Sequence, residues 1–225
     1  YRILRIDRDA TRRKGELERH LQLAREGAAR LLVGTQMMSK GHDFPNLSLV
    51  VILDTDGRLY GADFRAPERL AQLLVQVSGR AGRAERPGTV LLQTAFPEHP
   101  LLRAVAAGDY HAWAAGALAE RAEAALPPHS AMALLRAQAK QRDHVNAFLA
   151  GAAELAAATP GPEVLGPAPA PMERLAGDYR GQLLLVGPSR AVLGRFLGHW
   201  LPAVEAQEAA RRVRWSIDVD PQEIL

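Results

Sequence analysis

The sequence predicts an α/β protein in two parts, a parallel-sheet domain followed by an α+β domain with the element order βαββαβ. Over residues 1–97, short and nearly continuous apolar runs alternate with helical patterns, as in parallel strands that are covered on both faces. Alanine-rich helical sequence then ends at Leu126-Pro127-Pro128, where the rhythm of the chain changes. We therefore expect part of a parallel-sheet domain over 1–97, a helical connector over 98–127 and a C-terminal domain over 128–225.

The first part is predicted to contain four strands and two helices. The strands are Arg2 to Ile6, Arg30 to Gly34, Leu47 to Leu53 and Gly88 to Thr94. One helix is expected over Arg12 to Glu26, because its leucines have near-helical spacing and a glycine follows. The other is expected over Ala66 to Ser78, since Pro67 suits the first turn of a helix. The apolar stripe of this second helix consists of Leu70, Leu73, Leu74 and Val77.

The C-terminal domain is predicted to contain four strands and two helices. In chain order these are a strand over Ala131 to Lys140, a helix over Arg142 to Ala158, strands over Glu163 to Ala168 and Gln182 to Gly187, a helix over Ser189 to Ala206 and a strand over Arg212 to Val219. A proline-rich segment, 166–179, separates the middle strands. This order is that of a ferredoxin-like domain.

Composition excludes several classes of protein. The 225 residues contain no cysteine, so disulfides and cysteine-bound zinc are excluded within this chain, and the seven histidines show no metal-ligand spacing. No run of about 18 apolar residues predicts a membrane span. Residues 1–97 carry 16 basic and 11 acidic side chains, a net charge of +5, whereas residues 98–225 carry 12 and 14, a net charge of −2. A basic first part suits a phosphate-rich partner.

The string QVSGRAGRA, residues 76–84, places two arginines and two glycines within five residues at the end of a predicted helix. Glycines let a backbone approach a phosphate closely, and guanidinium groups bind phosphate through paired N–H donors. An arginine brought to a γ-phosphate stabilises the charge of the transition state for phosphoryl transfer. The alternative is a helix that ends at Gly79 and is followed by a solvated basic loop.

A second string, TQMMSKGHDFP over residues 35–45, follows the predicted strand RLLVG. It presents a hydroxyl, backbone N–H groups and an ammonium at the carboxyl end of a strand, where open α/β sheets bind their ligands. A nucleic-acid phosphate is one such ligand. The alternative is a polar loop in which Asp43 is a turn residue.

Together, TQMMSKGHDFP, LVVILDTDG and DFRAPERLAQLLVQVSGRAGRA resemble the PriA family of replication-restart helicases, which belong to superfamily 2. The first string resembles helicase motif V, and QVSGRAGR resembles motif VI. The run Asp63 to Arg69 is characteristic of the family, and the resemblance covers nearly the whole chain. It implies a second RecA-like motor lobe and a C-terminal domain.

The resemblance also implies roles for individual residues. Gln76, Arg80 and Arg83 face ATP that is bound mainly by another lobe, with Arg83 as the arginine finger, and Gly79 and Gly82 belong to the same nucleotide site. Thr35, Gln36, Lys40 and Gly41 contact the DNA backbone. The cofactors implied are ATP and Mg²⁺, and Zn²⁺ in the parent protein through cysteines that lie upstream of this chain.

The sequence LVVILDTDG also imitates a magnesium-binding strand, with Asp54 or Asp56 as the acid. The chain has no GxxxxGK[ST] loop, because its lysines follow Arg13, Ser39 and Ala139 rather than glycine. We therefore interpret these aspartates as turn residues at a strand end. Without that loop, the chain by itself is not expected to hydrolyse ATP.

In the C-terminal domain, the resemblance implies binding of branched and single-stranded DNA and of the tail of single-stranded-DNA-binding protein. Tyr179 and Arg180 are the implied DNA contacts, although Asp178 and Gly181 depart from the family pattern beside them. Arg190 is the implied partner contact, but Gly194 stands where the family has a polar residue. Trp215 is expected in the core rather than as a platform for bases.

Two functions remain open at this stage. The first is part of an ATP-dependent helicase that recognises stalled or branched forks, assembles the primosome with its loading proteins and restarts replication in the bacterial cytoplasm, associated with the nucleoid. The second is a non-hydrolysing module that binds forks and loads partners. Arg80 and Arg83 favour the first. Because the first residue is Tyr1, we also expect the chain to be part of a longer protein.

Overall fold

A computed structural model describes residues 2–7, 15–34, 47–79 and 88–224 of the chain. The structure divides into two compact units, Tyr1–Trp113 and Ala114–Leu225. The sequence predicts three segments instead, 1–97, 98–127 and 128–225, and their boundaries stay a prediction. Within the described ranges, no helix combines the length and the apolar character that a membrane span requires.

In the described ranges of the first unit, four short strands form two parallel pairs. The strands are β1 (Ile3–Ile6), β2 (Leu31–Gly34), β3 (Leu49–Ile52) and β4 (Thr89–Leu92). β1 pairs with β2, and β3 pairs with β4. Each strand lies inside its predicted range, and the parallel pairing is as predicted.

The helices begin with α1 (Glu16–Arg25), α2 (Thr55–Leu59), α3 (Ala66–Ser78) and α4 (Pro100–Ala107), and α5 (Tyr110–Glu123) spans the division between the units. Helix α3 has the predicted bounds, and its predicted apolar stripe is buried. Helix α1 lies within its predicted range, of which residues 12–14 fall outside the described part. The short helix α2 was not predicted.

One face of each parallel pair is exposed, which corrects the prediction that these strands are covered on both faces. Ile3 and Val33 on the first pair are 59% and 51% exposed, and Val51 and Leu91 on the second are both 51% exposed. Successive side chains of a strand point to opposite faces of the sheet. Within the described residues, other elements therefore pack on only one face of each pair.

The second unit contains a four-stranded antiparallel sheet and two long helices. In chain order its elements are β5 (Ala131–Ala139), α6 (Arg142–Ala157), β6 (Glu163–Leu175), β7 (Asp178–Gly187), α7 (Arg190–Ala206), a 3-10 helix (Glu208–Arg212) and β8 (Arg214–Val219). The order of strands in the sheet is β6-β7-β5-β8. Helices α6 and α7 pack on one face, where the core includes Phe148, Leu183 and Trp200.

Strands β6 and β7 are longer than predicted. β6 runs on to Leu175 rather than ending at Ala168, and β7 begins at Asp178 rather than at Gln182. The proline-rich segment forms a strand because β6 lies at the edge of the sheet, where proline is tolerated, and its pairing is interrupted by register shifts. The last strand begins at Arg214, after the 3-10 helix, rather than at Arg212.

Trp215 belongs to the core, as predicted. Its ring centroid lies 5.7 Å from that of Phe148 on the helix-packed side of the sheet. The predicted packing role of this partly buried side chain is therefore confirmed.

Candidate functional site

The end of α3 brings the predicted nucleotide-site residues Gln76 and Gly79 to the surface. Four buried side chains of the stripe fix this helix on the core, so that Gln76 lies exposed on its opposite face. Gly79 caps the helix, and its N–H donates to the carbonyl of Val75 at 3.1 Å. Its φ of −70° is open to any residue, so this cap does not require glycine. The other predicted nucleotide-site residues, Arg80, Gly82 and Arg83, lie outside the described part.

The start of α3 is held by a buried carboxylate. Asp63 is 5% exposed, and its Oδ1 accepts the backbone N–H of Arg65 at 2.8 Å. Its other oxygen pairs with Arg69 on the helix. The guanidinium of Arg65 lies 4.7 Å from the centre of the Phe64 ring. The family-like run from Asp63 to Arg69 therefore has a structural task, which is to fix the first turns of the helix that leads to motif VI.

Asp54 and Asp56 lie at the carboxyl end of β3, where they hold the loop that follows β4. Asp56 accepts hydrogen bonds from the Thr94 hydroxyl at 2.5 Å and from the Ala95 N–H at 2.8 Å. These two bonds, the first above all, hold the pKa of the Asp56 carboxyl below its ordinary value. The Asp54 N–H donates to the Gln93 side chain at 3.3 Å. Asp56 lies in the first turn of α2 rather than in the strand-end turn interpreted from the sequence, whereas Asp54 precedes that helix and holds Gln93 through its backbone.

The predicted motif V contacts, Thr35, Gln36, Lys40 and Gly41, lie outside the described residues. The same holds for Asp43, next to them. Their roles stay predictions from the sequence.

In the second unit, Tyr179 and Arg180 lie on opposite faces of β7. Tyr179 packs against the helix-covered core, and its ring lies 5.5 Å from the guanidinium carbon of Arg142 and 5.3 Å from that of Arg174. These distances are typical of cation–π contacts. The ring of Tyr179 therefore orients two arginines, a role that the sequence did not suggest.

Arg180 lies on the outer face of the sheet, which is the face opposite the helices. Gln138 of β5 is paired with Arg180 of β7 on one side and with Arg214 of β8 on the other. Directly paired residues of antiparallel strands share a face. We call Arg180, Gln138 and Arg214 the arginine row. Sequence reasoning missed Gln138 and Arg214, although polar residues alternate with apolar ones in both strands and would have indicated this face.

The two residues beside the row differ in their surroundings. Gly181, which departs from the family pattern, is packed against α6, where an added Cβ would lie 2.7 Å from Leu149 Cδ1 and 3.0 Å from Val145 Cγ1. Asp178 pairs with Lys140 at 2.7 Å. Gly181 is thus held in a tight packing contact, and Asp178 in an ion pair.

Arg190 is the first residue of α7, whose N-cap is Ser189. Its side chain is 83% exposed and pairs with Asp220 at 3.1 Å. Gly194, one turn later, is exposed and faces open space. The predicted partner contact is therefore at the surface, beside an acidic residue of this chain.

Two family models match the chain. The helicase conserved C-terminal domain matches residues 1–85, and the primosomal protein N C-terminal domain matches residues 122–222. The first contains both strings of the predicted motor site, and the second contains the whole antiparallel sheet.

Curated relatives match the chain along its length. It is 46% identical over 100% of its length to a replication restart protein PriA of Haemophilus influenzae. It is 40% identical over 99% of its length to a protein of the same name from Synechocystis, and 36% identical over 98% to one from Bacillus subtilis. The chain spans 31%, 26% and 28% of these three relatives.

Proposed function

Because this chain corresponds to the C-terminal part of the PriA replication restart proteins, we propose that it supplies the second motor lobe and a DNA- and partner-binding domain of an ATP-dependent DNA helicase. The parent protein recognises stalled or branched replication forks and restarts replication through primosome assembly. It acts in the bacterial cytoplasm, at the nucleoid.

The lobe assignment is supported by the match of residues 1–85 to a helicase domain and by parallel strand pairs flanked by helices. A RecA-like lobe is the fold that fits both. For the second unit, the strand order β6-β7-β5-β8 in an antiparallel sheet with two helices on one face supports a ferredoxin-like domain.

The single observation that carries the proposal is that Gln76 and Gly79, the motif VI residues of the predicted nucleotide site within the described part, lie exposed at the end of α3. The buried stripe of this helix and the Asp63 carboxylate hold it on the core, so that these two residues stand on a fixed support. Arg83 then acts as the arginine finger, with Arg80 and Gln76 beside it. ATP and Mg²⁺ are held mainly by another lobe, whose phosphate-binding loop this chain lacks.

In this mechanism the protein supplies charge and position rather than covalent chemistry. Closure of the two lobes on ATP brings Arg83 to the γ-phosphate and shifts Thr35, Gln36, Lys40 and Gly41 along the DNA backbone. In the second unit, Arg180 contacts DNA directly and Tyr179 acts through the two arginines that it orients. Arg190 receives the tail of single-stranded-DNA-binding protein.

The test is DNA-stimulated ATP hydrolysis by the full-length protein, by this 225-residue chain and by full-length Arg83→Ala. We expect activity in the first, none in the second and a kcat about 10³-fold lower in the third, with DNA affinity largely kept. Near-normal turnover of Arg83→Ala would overturn the finger assignment. No hydrolysis by the intact protein, with fork binding retained, would instead support a loading module without a motor.

A further inference from the structure

The arginine row lines two cavities of the second unit that share Gln138 and Arg214, one on the outer face of the sheet and one that reaches the start of α6, and we call them together the basic groove. A cavity of about 240 Å³ is lined by Arg136, Arg180 and Arg214, and a neighbouring one of about 290 Å³ by Lys140, Arg212 and Arg214. Gln138 lines both cavities. The groove thus gathers five cations, with Asp178 as an acidic side chain in its lining.

Two of the five cations are available to a ligand. Arg136 pairs with Asp218, Lys140 with Asp178, and Arg212 with Glu208. In the described segments of the chain, Arg180 and Arg214 have no acidic partner. They flank Gln138 on either side of β5, so their Cα atoms are two strand spacings apart, roughly 10 Å. This arrangement is not a consequence of a basic composition, because residues 98–225 carry a net charge of −2.

We propose that the arginine row binds the phosphodiester backbone of a DNA strand that crosses β5, with Arg180 and Arg214 each binding a phosphate and Gln138 donating between them. The proposal rests on the proposed function and names the part of the second unit that contacts DNA. Guanidinium groups bind phosphate in a bidentate manner, and an uncharged amide can donate to a phosphate or sugar oxygen.

The geometry favours a nucleic-acid backbone over an acidic peptide. The cations are spread along the groove rather than converging on one point, and apart from Trp215 its apolar lining is formed by small residues such as Ala137, Ala139 and Ala170. The acidic end of this chain already lies at one end of the groove, where Arg136 pairs with Asp218 and donates to the Glu223 carbonyl. These contacts occupy Arg136 but not Arg180 or Arg214, so the arginine row is open to a different anionic ligand.

The experiment measures the affinity of the full-length protein for labelled single-stranded, duplex and forked DNA as a function of salt. Arg214→Ala and Arg180→Ala are compared with Arg195→Ala, a matched control on the exposed side of α7, on the other face of the sheet. The logarithm of the binding constant K falls as the logarithm of the salt concentration rises. We expect each row variant to make this slope less steep, by about 0.7 on a single strand or about 0.9 on a duplex. The DNA form that shows this loss identifies which kind of strand lies in the groove.

Arg214→Lys separates a phosphate contact from a folding effect, because it keeps the charge and loses the planar fork. It should keep the salt slope and lose part of the affinity. Row variants that match Arg195→Ala in both slope and affinity on all three DNAs would overturn the proposal, as would a loss of binding to an acidic peptide with unchanged DNA binding. ATP hydrolysis by the wild-type protein tests the proposed motor separately. If the arginine row does not bind DNA, the row variants match the control while hydrolysis is normal; if the proposed motor function is wrong, hydrolysis itself is absent.

Discussion

Asp63 and Arg69 form an ion pair at the start of α3 in which the carboxylate is 5% and the guanidinium side chain 34% exposed, with Asp63 Oδ2 3.1 Å from Arg69 Nη2. Asp63 also accepts the N–H of Arg65, so one buried carboxylate joins the turn before the helix to its first turns. The pair therefore supports the helix that carries Gln76 and Gly79 of the predicted nucleotide site.

Removing that carboxylate should destabilise the first unit. Asp63→Ala removes the contacts of a buried carboxylate with the Arg65 N–H and the Arg69 guanidinium, and we expect the free energy of unfolding to fall by about 1.5–3 kcal/mol. Urea unfolding measures the change. The matched control is Glu98→Ala, which removes an exposed ion pair with Arg103 and should cost less than about 1 kcal/mol. An equal fall in the free energy of unfolding of the two variants would contradict a supporting role for Asp63.

The bonds of Asp56 predict a pH dependence of stability. The folded-state pKa of this carboxyl is below its ordinary value of 3.8, because Thr94 and Ala95 donate to the ionised form. The ionised Asp56 carboxylate therefore stabilises the fold fully at pH values above its unfolded-state pKa. This stabilisation is lost as the pH falls through its folded-state pKa. The Tm of wild type should exceed that of Asp56→Asn at neutral pH, and the difference should shrink in acid. Thermal unfolding over this pH range checks the prediction, and a difference that does not change with pH would contradict it.

The contact between Arg190 and Asp220 should compete with an acidic partner. Asp220 has a φ of 56°, a conformation that asparagine also adopts readily, so Asp220→Asn removes the charge without straining the backbone. We expect this variant of the full-length protein to bind an acidic peptide up to about fivefold more tightly, because an exposed pair contributes up to about 1 kcal/mol. Arg190→Ala should bind it more weakly than wild type. Fluorescence anisotropy with a labelled peptide measures both, and unchanged affinity in both variants would rule out a peptide contact at Arg190.

The sequence predicts best those elements whose determinants are local. The bounds of α3 follow from Pro67 at its start and from a stripe of buried leucines, all within thirteen residues. Helix α2, in contrast, has only five residues and contains Gly57, and the carboxylate of Asp56 ties it to the loop after β4. A contact between residues 38 positions apart leaves no periodic signal in the sequence, and the helix was missed for that reason.

The candidate sites differ in the same way, because some are determined by local sequence and others by contacts between distant residues. The position of Gln76 on an exposed helix face could be predicted from the period of the apolar stripe. The arginine row could not be predicted from the sequence, because it depends on the register of three strands that are distant in sequence. Tyr179 shows the limit of motif comparison, since only the folded chain places Arg142 and Arg174 against its ring.

Two glycines of the second unit should respond oppositely to the same substitution. Gly181→Ala places a methyl group 2.7 Å from Leu149 Cδ1, inside the contact between β7 and α6, and overpacking of this kind costs about 1–3 kcal/mol. Gly194→Ala adds a methyl group that faces open space in the interior of α7, where alanine is more stable than glycine by about 0.5–1 kcal/mol. Urea unfolding of both variants should therefore show changes of opposite sign. A neutral or stabilising effect of Gly181→Ala would mean that α6 can move away from the sheet, and the close packing that explains glycine beside Arg180 would then be wrong.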